Sequence, residues 1–264
     1  MIHSCLHSSG AGADLQRCGL RIEAEASMDD LSGQVAVVVG GGRGLGHAVA
    51  RTLARQGMEI VVAARTASQV EAVVAEIAQG GGRARAVVAD ASTETGAERM
   101  VAEVLDWRGR VDLLLVCAGA ALIKPLPDVT LADWEEVFAA NTRSVFLTNR
   151  AALRPMLAAG RGLILNVASR VALTGAANVT AYSAAKAAVI GFSRALAQEV
   201  KTRGVRVACL APAPMDTPMR WAATPDFDPA RLLSPQAVAD LVLYLARHPE
   251  VTFEDPVVPA SLRL

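Results

Sequence analysis

From Gln34 onward, short apolar runs alternate with longer stretches in which apolar residues recur every three or four positions. The runs fall near Gln34 to Val39, Glu59 to Ala64, Arg85 to Ala89, Val111 to Cys117, Leu163 to Val167 and Val205 to Leu210. Helical periodicity fills the gaps near Leu45 to Gln56, Ser68 to Gln79, Thr95 to Asp106, Leu131 to Ala159 with a break, and Thr180 to Lys201. A short unbroken apolar run suits a strand covered on both faces, and strands alternating with helices build a parallel sheet between two helical layers. The pattern therefore predicts one α/β domain, a doubly wound Rossmann-type sheet, over residues 31–264, with its ligand beyond the carboxyl ends of the strands. After a helix from Pro235 to Arg247, the segment Val251 to Val258 is expected to add a last strand. Residues 1–30 are rich in Ser, Gly and Ala without either period, which predicts a disordered extension, and Met28 offers a second start.

The first strand runs into Val39-Gly40-Gly41-Gly42-Arg43-Gly44-Leu45-Gly46 and then a helix. Glycines let backbone approach a pyrophosphate, and the free amides and positive dipole end of a helix meet its charge. The spacing is Gly-x-x-x-Gly-x-Gly, and a plain tight turn is the alternative. The second strand ends in Ala63-Ala64-Arg65-Thr66, where an acid would hold a ribose hydroxyl and an arginine suits a 2′-phosphate. Arg65, with Arg43 in the loop, favours NADP over NAD, unless both arginines only solvate the rim. Asp90, ending the third strand, is placed either to accept from an adenine amine or to cap a turn.

Tyr182 and Lys186 lie four apart on a predicted helix, which puts a phenol and an ammonium on one face. A phenol titrates near ~10, roughly 3 units above neutrality, so useful acid–base work asks for about 4 kcal/mol of help. One cation at about 5 Å with an effective dielectric near ~20 supplies about 3 kcal/mol. The only tyrosines are Tyr182 and Tyr244 and the only lysines Lys124, Lys186 and Lys201, so the pairing stands out from an arginine-built surface. Ser169 follows the fifth predicted strand, at a carboxyl end.

With these features in place, the stretch from about Leu31 to Ser234 resembles the short-chain dehydrogenase/reductase family. The matches are Gly40, Gly44 and Gly46, Asp90, Ala118-Gly119, Asn141, Ser169, Tyr182 with Lys186, and Pro212 through Thr217. The resemblance implies that Tyr182 exchanges a proton with the substrate oxygen, that Ser169 hydrogen-bonds that oxygen, and that Asn141 anchors a water in a proton relay. It implies that Lys186 holds the nicotinamide ribose and lowers the phenol's pKa. The cofactor would lie along Gly40, Arg43, Gly44, Leu45, Gly46, Arg65, Asp90, Ala118, Gly119, Pro212, Met215 and Thr217, with Thr217 and the backbone near Met215 on the carboxamide. Val39, Val116, Cys117, Ala208 and Ala213 depart from the family's usual Thr, Asn, Asn, Asn and Gly. Losing those polar groups either loosens the sheet or is offset by apolar packing. The family's glycine-rich tail is missing, and the resemblance implies a homo-oligomer, dimer or tetramer, through the long helices.

Residues 217–233 carry Met219, Trp221, Phe227 and Leu232 near several prolines and read as a substrate lid, and Val171 to Val179 carries Leu173 and Asn178. Both segments lean apolar, so a hydrophobic ketone, aldehyde or secondary alcohol is expected, without a charged clamp. Formal net charge is zero, which gives no footprint for nucleic acid. The longest apolar runs are far short of a membrane span. Cys5, Cys18, Cys117 and Cys209 show no metal-ligand spacing, although a site at His3, Cys5 and His7 stays open, and the four read as reduced thiols of a cytoplasmic protein. An inert NADP-binding regulator or partner subunit is the competing reading, and a methyltransferase a third that Arg65 disfavours.

Overall fold

The computed structural model describes residues 30–253 and 255–260. Its strands are β1 (Val35–Val39), β2 (Glu59–Ala64), β3 (Arg83–Val88), β4 (Leu113–Val116), β5 (Gly162–Val167) and β6 (Val205–Leu210). All are parallel in the order β3-β2-β1-β4-β5-β6. Along β1, Val35, Val37 and Val39 face one helical layer while Ala36 and Val38 face the other, so every residue of the strand is buried. That is why the central strands read as unbroken apolar runs rather than alternating ones.

One layer holds α1 (Gly44–Ala54), α2 (Ala67–Gln79) and α9 (Pro235–Arg247), through Val49, Leu53, Val70, Ile77, Val238 and Val242. The other holds α3 (Glu94–Arg108), α5 (Ser144–Ala159) and α7 (Thr180–Val200), through Met100, Val104, Ala152, Met156 and Val189. Strand order reverses at β1 and β4, which opens a crevice at their carboxyl ends. Behind it, Asn149 of α5 and Asn166 of β5 exchange amide hydrogen bonds at 2.8 and 3.0 Å, and Asn166 also donates to Ser193 of α7 at 3.1 Å. This satisfied polar network ties the strand that carries Ser169 to two helices.

The expected helix from Leu131 to Ala159 breaks as α4 (Leu131–Phe138), a π-helical turn (Ala139–Arg143) and then α5. Thr130 and Asp133 close a capping box on α4. Val39 and Val116 are register partners and fully buried, so at these two departures from the family's pattern apolar packing replaces the polar tie, whereas at a third the Cys117 thiol donates to the Val39 carbonyl at 3.1 Å. The expected last strand is corrected. Among the described residues its segment contributes one parallel bridge, Leu210 with Val257, and a further bond from Ala213 N–H to the Pro259 carbonyl. Pro259, the next residue to face β6 after Val257, supplies no N–H, so the ladder has no donor there. The N-terminal extension, with Met28 and the His3, Cys5 and His7 group, lies outside the described residues. No helix among the described residues is long and apolar enough to cross a membrane.

Candidate active site

A cleft of about 440 Å³ runs along the carboxyl edge of the sheet. Gly40, Arg43, Gly44, Leu45, Gly46, Arg65 and Asp90 line one end, and Ala118, Gly119, Asn141, Tyr182, Lys186, Met215 and Thr217 the other. Local chain chemistry sets the first end. Gly40 has φ +84°, and a Cβ there would lie 2.6 Å from the Ala118 amide nitrogen. A Cβ on Gly46 would strike the Gly40 carbonyl and come within 2.8 Å of Cys117 Sγ. The loop therefore closes so tightly on β4 that side chains are excluded and backbone lines the cleft. These observations fit a dinucleotide pyrophosphate.

Arg43 and Arg65 are both exposed on the cleft wall. Partial burial pushes the Asp90 carboxyl up, but bonds from Ser92 and the Arg65 and Arg143 cations outweigh it and leave the group below its usual range. Asp90 Oδ1 accepts from the Ser92 amide at 2.9 Å and the Ser92 hydroxyl at 2.8 Å, the turn-capping alternative. Thr66, Gln69 and Ser92 also line this end and were missed in the sequence, where single polar residues at strand ends carry no motif.

At the other end, the π-helical turn presses Asn141 fully into the interior. Its Nδ2 donates to the Ala120 and Val137 carbonyls, both at 2.8 Å, and its buried Oδ1 has no donor among the described residues. Gly119 faces both that oxygen and Lys186 Nζ, which lies 3.4 Å from where a Cβ would stand. Lys186 is buried and donates to the Val167 carbonyl at 2.8 Å. Burial pulls its pKa down to about 8, with Cys117 and Cys209 acting the other way. Lys186 Nζ is 6.0 Å from the Tyr182 ring centroid.

Burial raises the Tyr182 phenol above its ordinary value, while a hydrogen bond with Ser169 and the Arg220 cation pull it down. The resemblance gives that lowering to Lys186, whose Nζ stands 6.0 Å from the ring centroid; Arg220, in residues 217–233, is a further cation whose charge reaches the phenol. Ser169 meets the cleft through Tyr182 rather than lining it, and Pro212 is not on the cleft wall, its carbonyl accepting from the Arg170 amide at 3.0 Å. Thr217 caps α8 (Pro218–Ala223) by accepting from the Arg220 amide, and its methyl would meet a Cβ on Gly44 at 3.2 Å. Arg220 and Arg231, in residues 217–233, had no signal in the sequence, because a single arginine within an apolar, proline-bearing segment carries no motif.

A sequence model described as short chain dehydrogenase matches residues 34–227. A 3-oxoacyl-(acyl-carrier-protein) reductase of Synechocystis sp. is 38% identical over 232 residues, covering 86% of this chain and 94% of its own. The (2S)-((R)-hydroxy(phenyl)methyl)succinyl-CoA dehydrogenase subunit BbsD of Thauera aromatica is 35% identical, covering 82% and 90%. Among solved structures, one from Beutenbergia cavernae, assigned as an NAD(P) dependent gluconate 5-dehydrogenase with NADP at low occupancy, superposes with a TM-score of 0.80. It is 36% identical and covers 87% of this chain and 96% of its own.

Proposed function

The chain belongs to the short-chain dehydrogenase/reductase family of oxidoreductases, and from that premise we propose that it interconverts a ketone or aldehyde and an alcohol with NADP(H). The observation that carries the reading is a single cleft that joins a side-chain-free glycine loop and two guanidiniums at one end to Tyr182, Lys186 and the orphaned Asn141 Oδ1 at the other. A nicotinamide dinucleotide in that cleft supplies or accepts the hydride.

The protein's part is positioning and proton transfer. Tyr182 gives its proton to the carbonyl oxygen as charge grows there, and Ser169 donates a second hydrogen bond to the same oxygen. Asn141 Oδ1, which has no donor among the described residues, takes a water that connects it to the Lys186 ammonium, so the phenol is reprotonated from solvent. Arg43 and Arg65 receive the 2′-phosphate, since a guanidinium fork matches phosphate oxygens. An apolar flank beside the carbonyl is supported by Met219 on the cleft wall. The relatives named for 3-oxoacyl and hydroxy(phenyl)methylsuccinyl thioesters have a reacting centre of the same kind. We take 31–264 as the catalytic domain, 217–233 as its lid, and the cytoplasm as its compartment. Retention of the four polar groups disfavours an inert regulator.

The test is NADPH oxidation across a panel of ketones and aldehydes for wild type and Tyr182→Phe. Turnover that falls by about 10²- to 10⁴-fold in the variant, with NADPH affinity kept, is expected. A tight NADPH complex inert toward every carbonyl would favour the regulator.

A further inference from the structure

The lid is pinned at its base. Met215 bridges Leu233, with Asp216 N–H on the Leu233 carbonyl at 3.0 Å and Leu233 N–H on the Pro214 carbonyl at 2.8 Å. Inside this closed loop two guanidiniums stand on one phenyl ring: Arg220 Cζ is 4.9 Å and Arg231 Cζ 5.9 Å from the Phe227 centroid. Arg220 also donates to the Thr224 hydroxyl at 3.0 Å. Among the described residues neither guanidinium has a carboxylate within 4.0 Å, although Asp216, Asp226 and Asp228 share the loop. Asp216 instead accepts from Trp221 Nε1 at 2.7 Å, and Asp228 from the Ala230 amide at 2.9 Å.

Two like charges gathered on one ring without an acid beside them repel, an effect that solvent weakens at exposed Arg231 and that partial burial sharpens at Arg220. The aromatic face offsets part of that cost and fixes the heads in place. The lid starts at Thr217, and Thr217, Pro218 and Met219 line the cleft. Arg220 acts on the Tyr182 phenol, so its charge is felt at the reacting centre.

We propose that Arg220 and Arg231, held on Phe227, form an oxyanion clamp in the lid that takes a carboxylate or phosphate carried by the substrate away from its reacting carbonyl. This rests on the carbonyl-reductase reading above and changes its substrate class: the apolar wall faces the carbon skeleton, while the far end of the molecule is anionic. Planar guanidinium forks are suited to such groups, and pre-placement on a ring lowers the ordering cost of capture.

The test uses matched pairs of ketones with NADPH: levulinate against methyl levulinate for a carboxylate, and acetoacetyl-CoA against the acetoacetyl thioester of N-acetylcysteamine for a phosphate. In wild type the anionic member of at least one pair is favoured in kcat/KM by about tenfold or more, as charge-assisted hydrogen bonds imply. That pair names the oxyanion. Arg231→Gln abolishes the preference by raising KM for the anionic member, leaves KM for the neutral member and keeps NADPH affinity; Arg220→Gln and the double variant lose the same preference, with any change in kcat that comes through the Tyr182 phenol shared by both members of a pair. Equal or better use of the neutral member in both pairs of wild type overturns the clamp. So does a loss of NADPH affinity in the variants that matches the rise in KM, which would hand the arginines to the cofactor's phosphates. Binding of the anionic compounds to the NADPH complex, followed by nicotinamide fluorescence, decides the clamp separately from turnover. Binding lost in the double variant supports it even where no ketone is reduced, and absence of binding to wild type refutes it.

Discussion

Lys186 is a buried cation whose pKa falls from 10.5 to about 8, chiefly through loss of solvent. That drop corresponds to roughly 3 kcal/mol against keeping it charged in the folded protein. Between about 8 and 10.5 the unfolded chain binds the extra proton, so folding stability rises with pH through this window. The penalty is in full force below it. Urea unfolding of wild type and Lys186→Met across the window should show wild type gaining up to about 3 kcal/mol relative to the variant. A flat difference, or one of opposite sign, would show that Lys186 is not the strained group. The strain matches the role proposed for it, since active groups are held in surroundings that shift them. The Tyr182 and Lys186 pair was legible in the sequence because helical spacing alone sets it. The dominance of burial over charge at Tyr182 was not, because desolvation depends on what the sheet and lid cover.

Among the elements, the β1 loop and α1 act as one cradle. Gly46→Ala places a methyl against the Gly40 carbonyl and 2.8 Å from Cys117 Sγ, and neither the backbone nor the packed sulfur can retreat. NADPH affinity measured by fluorescence should fall by more than about tenfold in this variant while far-ultraviolet dichroism is kept. Unchanged affinity would remove the cradle from the cofactor site. Strand and helix positions were readable from the pattern, since β1 and β2 are buried on both faces and the helices keep one apolar stripe. The π-helical turn was read only as a break, because one extra residue in a turn leaves the apolar spacing of α4 and α5 almost intact. The last strand failed for a local reason that the sequence did contain, namely Pro259, which has no N–H to extend the ladder beyond the bridge at Val257.

At the scale of the whole molecule, α5 and α7 offer Phe146, 44% exposed, set edge-on to Phe192, as an apolar face for a second copy. A homo-oligomer through these helices is expected in sedimentation, and a monomer at micromolar concentration would contradict it. The cleft runs between two halves of the sheet, and its length joins the arginines at the β2 end to the proton-transfer groups at the β5 end. What occupies that length decides the function. Titration of wild type and Arg65→Ala with NADPH and NADH, followed by nicotinamide fluorescence, tests it most directly. NADPH should bind wild type about tenfold or more tightly than NADH, and Arg65→Ala should erase that difference by weakening NADPH alone. Equal binding of the two nucleotides, or a preference that survives Arg65→Ala, would contradict the assignment of NADP(H), and binding of neither would contradict the cleft's function as a whole.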